Sequence, residues 1–240
     1  MTGRSIERSA TAEIAGPKPG GALIHQRAYE IGSYFEDDSH CRLIGHLRDV
    51  KPDGMWGIGD TEPMTIHHME LHIVFHAPTT VITEIFTEMH VTPQSECVFI
   101  KASYQQLVGL SIARGFTAKV KELFGGPRGC THIGALTNAM APVAIQSLWA
   151  FFHRDHDAGT FTPNPSETPE QMQTRQDAAA AIREQSFKRN LNTCHVWAED
   201  GPMFNLLGQG RAIPIPLWGQ KRLRERGVDP ALWATQESET

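Results

Sequence analysis

Apolar and polar residues alternate in the first half of the chain. Over residues 65–75 every second position from Met69 onward carries an apolar side chain, which is the period of a strand with one face in the core. Similar stretches at 27–31, 41–50 and 81–90 read as further strands, and the Lys-Pro-Asp-Gly sequence at 51–54 is typical of a turn. The pattern predicts an antiparallel β-meander.

The spacing of apolar residues becomes helical in the second half. One helix is predicted over 102–124, where a Gly-Gly-Pro sequence ends it, and a second over 131–153, which Pro142 should kink or split. A polar, Ala-rich helix is expected over 169–188. Strands followed by helices indicate the α+β class. The apolar stripe of the first helix consists of Leu107, Leu110, Phe116, Val120 and Leu123.

Length and composition agree with one sizeable core. The chain has 240 residues, of which 40% are hydrophobic, and this is enough for one large domain. We expect a flexible N-terminal arm at 1–22, a single α+β domain at 23–207 and a C-terminal extension at 208–240.

Charge and composition exclude several classes of protein. A net charge of −5 without basic clusters argues against nucleic acid as a partner. No apolar run reaches the roughly 20 residues of a membrane helix, and the first residues lack the apolar core of a secretory signal. Four cysteines are too few for a disulfide scaffold. We therefore expect a cytoplasmic protein with reduced thiols that acts on a small molecule; the oligomeric state is not indicated.

Cysteines and histidines fall beside predicted element boundaries. Cys97 precedes the first predicted helix, and Cys130 starts the second, two residues before His132. A helix N-terminus favours a thiolate, and thiolate and imidazole are the ligands that zinc and iron prefer. His67 shares strand parity with Met69, so its side chain should turn inward. A packing role for the two cysteines is an equal alternative, since free cysteine is commonly buried.

Other ligand-type residues have ordinary explanations. The sequence His68-x-Glu70-x-His72 could offer three ligands from one strand face, but an exposed polar face explains it as well. Asp49 and Glu30 could orient a ligand histidine, or they could be solvated residues at strand ends.

The motif residues resemble a bacterial family of unknown function over residues 40–200. The resemblance rests on Ile-His-His-Met at 66–69, on Cys97, on Gly-Cys-Thr-His at 129–132 and on Cys194-His195. The Gly-Cys-Thr-His sequence is its most specific part. His68 stands where the family pattern would have aspartate.

A more distant similarity is to the NifU/IscU-type iron–sulfur scaffold. That fold is also a short antiparallel meander followed by helices, and its ligand positions correspond here to His67, Cys97 and Cys130. Thr65 occupies the place of the scaffold's first cysteine. The resemblance therefore implies an NifU/IscU-like core with a changed site, followed by the C-terminal extension.

These observations together predict a Cys/His metal site that holds zinc or iron, with an iron–sulfur cluster as one form of the iron site. The leading hypothesis is a metal-dependent enzyme that acts on a small organic substrate, with His132 or His195 moving protons. A metal or iron–sulfur carrier and a metal-free enzyme with a Cys130 nucleophile are the alternatives. The ligands are expected among Cys97, Cys130, His67, His132 and Cys194.

Overall fold

A computed structural model describes residues 20–54, 59–153, 166, 168–174, 177, 188, 190–209, 216–227 and 229–230. The chain divides into two compact units, Met1–Arg154 and Asp155–Thr240. Most of the expected N-terminal arm lies outside the described residues. The predicted boundaries at residues 23 and 208 stay predictions.

The first unit is built on a four-stranded antiparallel sheet in which each strand pairs with the next along the chain. The meander and the α+β class are therefore confirmed. The strands are β1 (Gln26–Phe35), β2 (His40–Lys51), β3 (Met64–His76) and β4 (Val81–Val91).

Alternation decides which face of the sheet is buried. On β3, Met69, Leu71 and Ile73 are buried, whereas His68 and Glu70 between them are partly exposed. The helices of this unit pack on the buried face, where they share one apolar core with the strands. The opposite face carries mainly polar side chains.

The single helix predicted over 102–124 is wrong. A 3₁₀ helix, Ser95–Leu107, comes first, and helix α1, Phe116–Phe124, follows after a break. Gly109 and Gly115 have φ angles of +88° and +84°, which other residues rarely adopt and which no helix can continue through. The apolar stripe is therefore divided between two elements.

The residues between these two helices pair with the outer edge of β4. The Gly109 N–H donates to the Ile82 carbonyl, and the Ile82 N–H donates to the Leu110 carbonyl, both at 2.8 Å. Ser111 forms an isolated bridge with Val81. This segment covers an edge that would otherwise expose unpaired backbone groups.

Helix α2, Thr131–His153, has the predicted bounds and contains Pro142 without being split. It lies close to the sheet at Gly45, where a Cβ atom would stand 2.7 Å from Met140 Sδ. Ile133 and Leu136 on the same helix are fully buried in the core. α2 is therefore the principal cover of the sheet.

By length and composition α2 could also cross a membrane, because Thr131–Phe152 has a mean hydropathy of 1.2. This differs from the expectation that no segment is apolar enough. The core helix of a globular domain meets the same criteria, and the packing of α2 on the sheet is of that kind.

The second unit contains short helices. Residues 169–174, within the helix predicted over 169–188, are helical, and much of the rest of that prediction lies outside the described residues. A 3₁₀ turn, His195–Trp197, and the helices Pro202–Gly208 and Leu217–Glu225 follow.

Candidate functional site

The site is centred on Asp49, which is buried on the helix-covered face of β2. Arg27 on β1 and His67 on β3 are its direct cross-strand partners. Directly after the Asp49–His67 pair the register of β2 and β3 shifts, so that Ile66 has no paired residue on β2. Bulges of this kind re-aim the neighbouring side chains and are common beside functional sites.

Arg27 fixes the Asp49 carboxylate with two hydrogen bonds. Nε donates to Oδ1 at 2.6 Å, and Nη2 donates to Oδ2 at 2.7 Å. These bonds lower the pKa of Asp49, against the opposing effect of its burial. His25 approaches Oδ1 from the same side, with Nε2 at 3.5 Å. Asp49 is therefore an ionised, immobilised carboxylate.

Two imidazoles meet at the other side of Asp49. His67 Nδ1 lies 3.0 Å from Oδ2, and His132 Nε2, from the first turn of α2, lies 3.4 Å from the same oxygen. The two rings stack with centroids 3.7 Å apart. The ligand-type atoms of these three residues all lie within 4.8 Å of one another.

The protonation of the two rings follows from Asp49. A carboxylate accepts hydrogen bonds, so His67 donates from Nδ1 to Oδ2, and the negative charge of Asp49 favours the tautomer of His132 that carries its proton on Nε2. Burial lowers the pKa of His132, and the neighbouring His67 and Arg27 lower it further. His132 is therefore neutral at pH 7. The lone pairs of His67 Nε2 and His132 Nδ1 are left for a metal ion or a proton.

Cys130 lies next to this pair, with Sγ 3.7 Å from His132 Nδ1. Its backbone is held by the buried Tyr104, whose hydroxyl donates to the Cys130 carbonyl and accepts from the Cys130 N–H, both at 3.0 Å. Burial raises the pKa of Tyr104 to about 12, so this hydroxyl keeps its proton. Tyr104 thereby fixes the residue that precedes α2.

Gly129 explains part of the Gly-Cys-Thr-His sequence. A Cβ atom at this position would lie 2.5 Å from the Phe124 carbonyl oxygen and 2.6 Å from Phe124 Cβ. The backbone is extended here, with φ of −153°, so close approach and not backbone strain requires glycine.

A pocket of about 340 Å³ opens beside these groups. His67, Cys97, Cys130 and His132 all contribute to its wall, so four of the five predicted ligands line one pocket. Cys97 does so from within the 3₁₀ helix, not from a position ahead of a helix as predicted. The rest of the wall is largely apolar and includes Met69, Met89, Pro93 and Ile100, with Glu96 at its margin.

Cys194 and His195 belong to the second unit. Cys194 is an exposed free cysteine, and His195 begins the 3₁₀ turn that follows it. Their predicted roles, as a ligand and as a proton carrier, stay predictions.

Sequence reasoning missed Arg27 and Tyr104 and gave Asp49 only a minor place. One signal for Asp49 was available, because it shares strand parity with Leu43 and Leu47 and should therefore point into the core. A buried carboxylate needs a partner. Nothing in the sequence identifies Arg27 as that partner, because the register of β1 on β2 decides it.

Comparison with known proteins places this site within a family. A family model described as "Protein of unknown function (DUF2889)" matches residues 25–146, just over half of the chain. The chain belongs to the DUF2889 family. The DUF2889 match includes the whole Asp49 site and ends before Cys194. No curated protein and no solved structure matches the chain.

The expected resemblance to a family of unknown function is thus confirmed at that level. The place of the Gly-Cys-Thr-His sequence in the family pattern and a bacterial source stay predictions. The DUF2889 sheet is antiparallel and its helices follow the strands, but the likeness to the NifU/IscU-type scaffold also stays a prediction.

Proposed function

We propose that this DUF2889 protein is a metal-dependent enzyme that acts on a small organic substrate in the pocket beside Asp49. One observation carries the proposal. Two stacked imidazoles, both within 3.4 Å of one buried carboxylate, line the same pocket as two thiols. Zinc or iron is the ion that this donor set suits.

Asp49 is better suited to orient ligands than to bind the ion. Both of its oxygens already accept hydrogen bonds from Arg27, and the guanidinium charge disfavours a cation at the same oxygens. A carboxylate that holds the far nitrogen of a ligand histidine is a common arrangement in metal sites. The proposed ligand atoms are therefore three among His67 Nε2, His132 Nδ1 and the thiolates of Cys130 and Cys97, which leaves the fourth tetrahedral position open for substrate or water.

The spacing of Cys130 and His132 supports this ligand set. A thiolate at about 2.3 Å and an imidazole nitrogen at about 2.05 Å from one tetrahedral zinc ion stand about 3.6 Å apart. The Sγ-to-Nδ1 distance is 3.7 Å. These two atoms can therefore take a common ion with little movement.

The bound ion would polarise a carbonyl group or activate water. The chain's own residues hold the reactants: the apolar wall of Met69, Met89 and Ile100 accepts the non-polar part of a substrate and excludes water. His132 cannot bind an ion and accept a proton through the same nitrogen. In this arrangement proton transfer falls to Glu96, which also lines the pocket.

Metal analysis of protein purified without oxygen tests the proposal. The expected result is about one tightly held zinc or iron ion per chain, which survives gel filtration with a weak chelator. It should be lost in Cys130→Ser and in His67→Ala. Cys41→Ala is the matched control, because Cys41 is buried in the core and does not line the pocket. A metal-free wild type, or full metal retention in both variants, would refute the proposal.

A metal-free cysteine enzyme is the second candidate, because Cys130, His132 and Asp49 form a continuous chain. His132 Nδ1 faces the thiol at 3.7 Å, and Nε2 faces the carboxylate at 3.4 Å. His132 would take the thiol proton, and Asp49, ionised beside Arg27, would stabilise the imidazolium that forms. This candidate predicts rapid alkylation of Cys130 in metal-free protein, and slower alkylation in His132→Ala.

The carrier hypothesis makes a different prediction. Anaerobic reconstitution with iron and sulfide should then give a visible absorption band and a labile cluster, in keeping with an NifU/IscU-like core. Tight, colourless zinc would exclude it. We also propose a cytoplasmic location, which four free cysteines favour.

A further inference from the structure

A second group of histidines surrounds Glu70 on the sheet face opposite to the pocket. His68, Glu70 and His72 alternate along β3 with the buried Met69 and Leu71. They point away from the core for that reason. His46 on β2 and His90 on β4 face the same region, and these five polar residues form what we call the Glu70 cluster.

The three strands bring the imidazoles to one carboxylate. His46 is the direct cross-strand partner of Glu70, with Nδ1 3.8 Å from Oε2. His90 Nε2 lies 2.6 Å from the same oxygen, and His72 Nε2 lies 2.6 Å from Oε1. Three nitrogens therefore converge on a single carboxylate group.

A strand irregularity places His90 in this position. His68 pairs with Val91 and Met69 pairs with Met89, so His90 is the extra residue of a bulge in β4. Bulges redirect side chains and recur at functional sites. A polar sheet face that only contacts solvent does not require a bulge.

We propose that the Glu70 cluster binds a second divalent transition-metal ion, such as zinc, through Glu70 Oε2, His46 Nδ1 and His90 Nε2. Imidazole and carboxylate are suitable ligands for this class of ion. Water completes the coordination, since all three side chains are partly exposed. The site is separate from the pocket and does not depend on the function proposed there.

The distances from Glu70 Oε2 to the two nitrogens are close to those that an ion requires, and the two imidazoles must rotate toward each other to share it. Two ligand atoms at about 2.05 Å from a tetrahedral ion stand about 3.3 Å apart. The contact of Glu70 with His90 is shorter than this and that with His46 is longer, so each must change by less than an ångström. The ion takes the place of the proton on His90 Nε2, and the neutral imidazole keeps that proton on Nδ1 instead.

The remaining two histidines have other tasks. His72 holds Oε1 and so positions the carboxylate. His68 Nε2 accepts a hydrogen bond from Arg48 Nε at 3.3 Å, and the guanidinium charge keeps a cation away from that nitrogen. His68 Nε2 also lies 3.4 Å from His46 Nδ1, a contact that the ion would replace. His68 is therefore left out of the ligand set.

Zinc titration of the full chain by calorimetry tests the site. Cys130→Ser combined with His67→Ala serves as the background, so that the proposed pocket site is removed and the Glu70 cluster remains. This background should bind about one zinc ion per chain. His90→Gln or His46→Gln should weaken binding by more than the roughly 10- to 100-fold loss typical of outer-sphere partners, and His72→Gln by about that loss.

His76→Gln is the matched control, because His76 lies on the same strand and contacts Thr79 instead of Glu70. It should bind zinc like its background. A background that binds no zinc, or zinc binding that His90→Gln leaves unchanged, would overturn the proposal, provided that circular dichroism shows a folded protein. Failure of the pocket proposal is recognised separately, from the metal content of Cys130→Ser alone.

Discussion

Arg27 and Asp49 lie opposite each other on neighbouring strands, and the guanidinium donates one hydrogen bond to each carboxylate oxygen. Asp49 is 1% exposed and Arg27 is 34% exposed, so the pair reaches from the core to the surface. His67 is hydrogen-bonded to the same carboxylate, and His132 lies 3.4 Å from it. The position of the imidazoles therefore depends on an ion pair that touches neither of the two pocket thiols.

Replacement of Arg27 by glutamine should destabilise the fold. It leaves a buried carboxylate without its guanidinium, which in a fully buried pair costs about 3–5 kcal/mol. Because Arg27 is partly solvated, we expect a fall of about 1–3 kcal/mol in the free energy of unfolding. Urea denaturation of wild type and variant at pH 7 measures this change in the free energy of unfolding.

Arg42→Gln is the matched control for this prediction. Arg42 also makes a two-bonded pair, with Glu36, but that carboxylate is exposed. Its loss should cost much less than the loss of the Arg27–Asp49 pair. Equal effects of the two substitutions would show that burial of Asp49 does not decide the strength of its pair.

The lowered pKa of Asp49 predicts a pH-dependent contribution to stability. The group holds fewer protons folded than unfolded, so its contribution is complete above the unfolded pKa of about 3.9. It is lost as the pH falls through the lower folded pKa. We compare the free energies of unfolding of wild type and Asp49→Asn. The part of their difference that comes from ionised Asp49 should therefore be constant from pH 7 to pH 5 and should shrink below pH 4. Urea unfolding at a series of pH values measures this, and a difference that grows on acidification would contradict it.

Tyr104→Phe should loosen the start of α2. The substitution keeps the ring, which stacks on Phe124 at 4.4 Å, and removes only the hydroxyl that pairs with both backbone groups of Cys130. The loss of such a buried polar partner costs about 1–3 kcal/mol. We also expect the rate of Cys130 alkylation to change. Tyr34→Phe, at an exposed position, should change neither quantity.

The strands could be predicted from the sequence because their signal is local. On β3, alternation identified the buried positions and the inward turn of His67, which the structure confirms. The break in the predicted helix was not found, because it depends on the conformation of Gly109 and Gly115 and on pairing with β4. An apolar stripe has the same spacing whether one helix or two carry it.

The site was predictable only in part for a similar reason. The residue types of Cys97, Cys130, His67 and His132 suggested a common task, and helix–sheet packing brings them to one pocket. Their common anchor, Asp49, depends on strand register and on Arg27. Register is decided by pairing across the sheet, and a single strand sequence does not reveal it.

Gly129→Ala should disturb the site, although Gly129 has no side chain that could bind a metal or transfer a proton. The added methyl group would meet the Phe124 backbone, which has no freedom to rotate away, so the chain that carries Cys130 must shift. We expect a loss of about 1–3 kcal/mol in the free energy of unfolding, together with weaker metal retention or altered alkylation of Cys130. Gly134→Ala provides the opposite control, because a Cβ atom there meets nothing within 4 Å and alanine is the better residue inside a helix by about 0.5–1 kcal/mol. If both variants gained stability, close approach would not be the reason for glycine at position 129, and the Gly-Cys-Thr-His sequence would need another explanation.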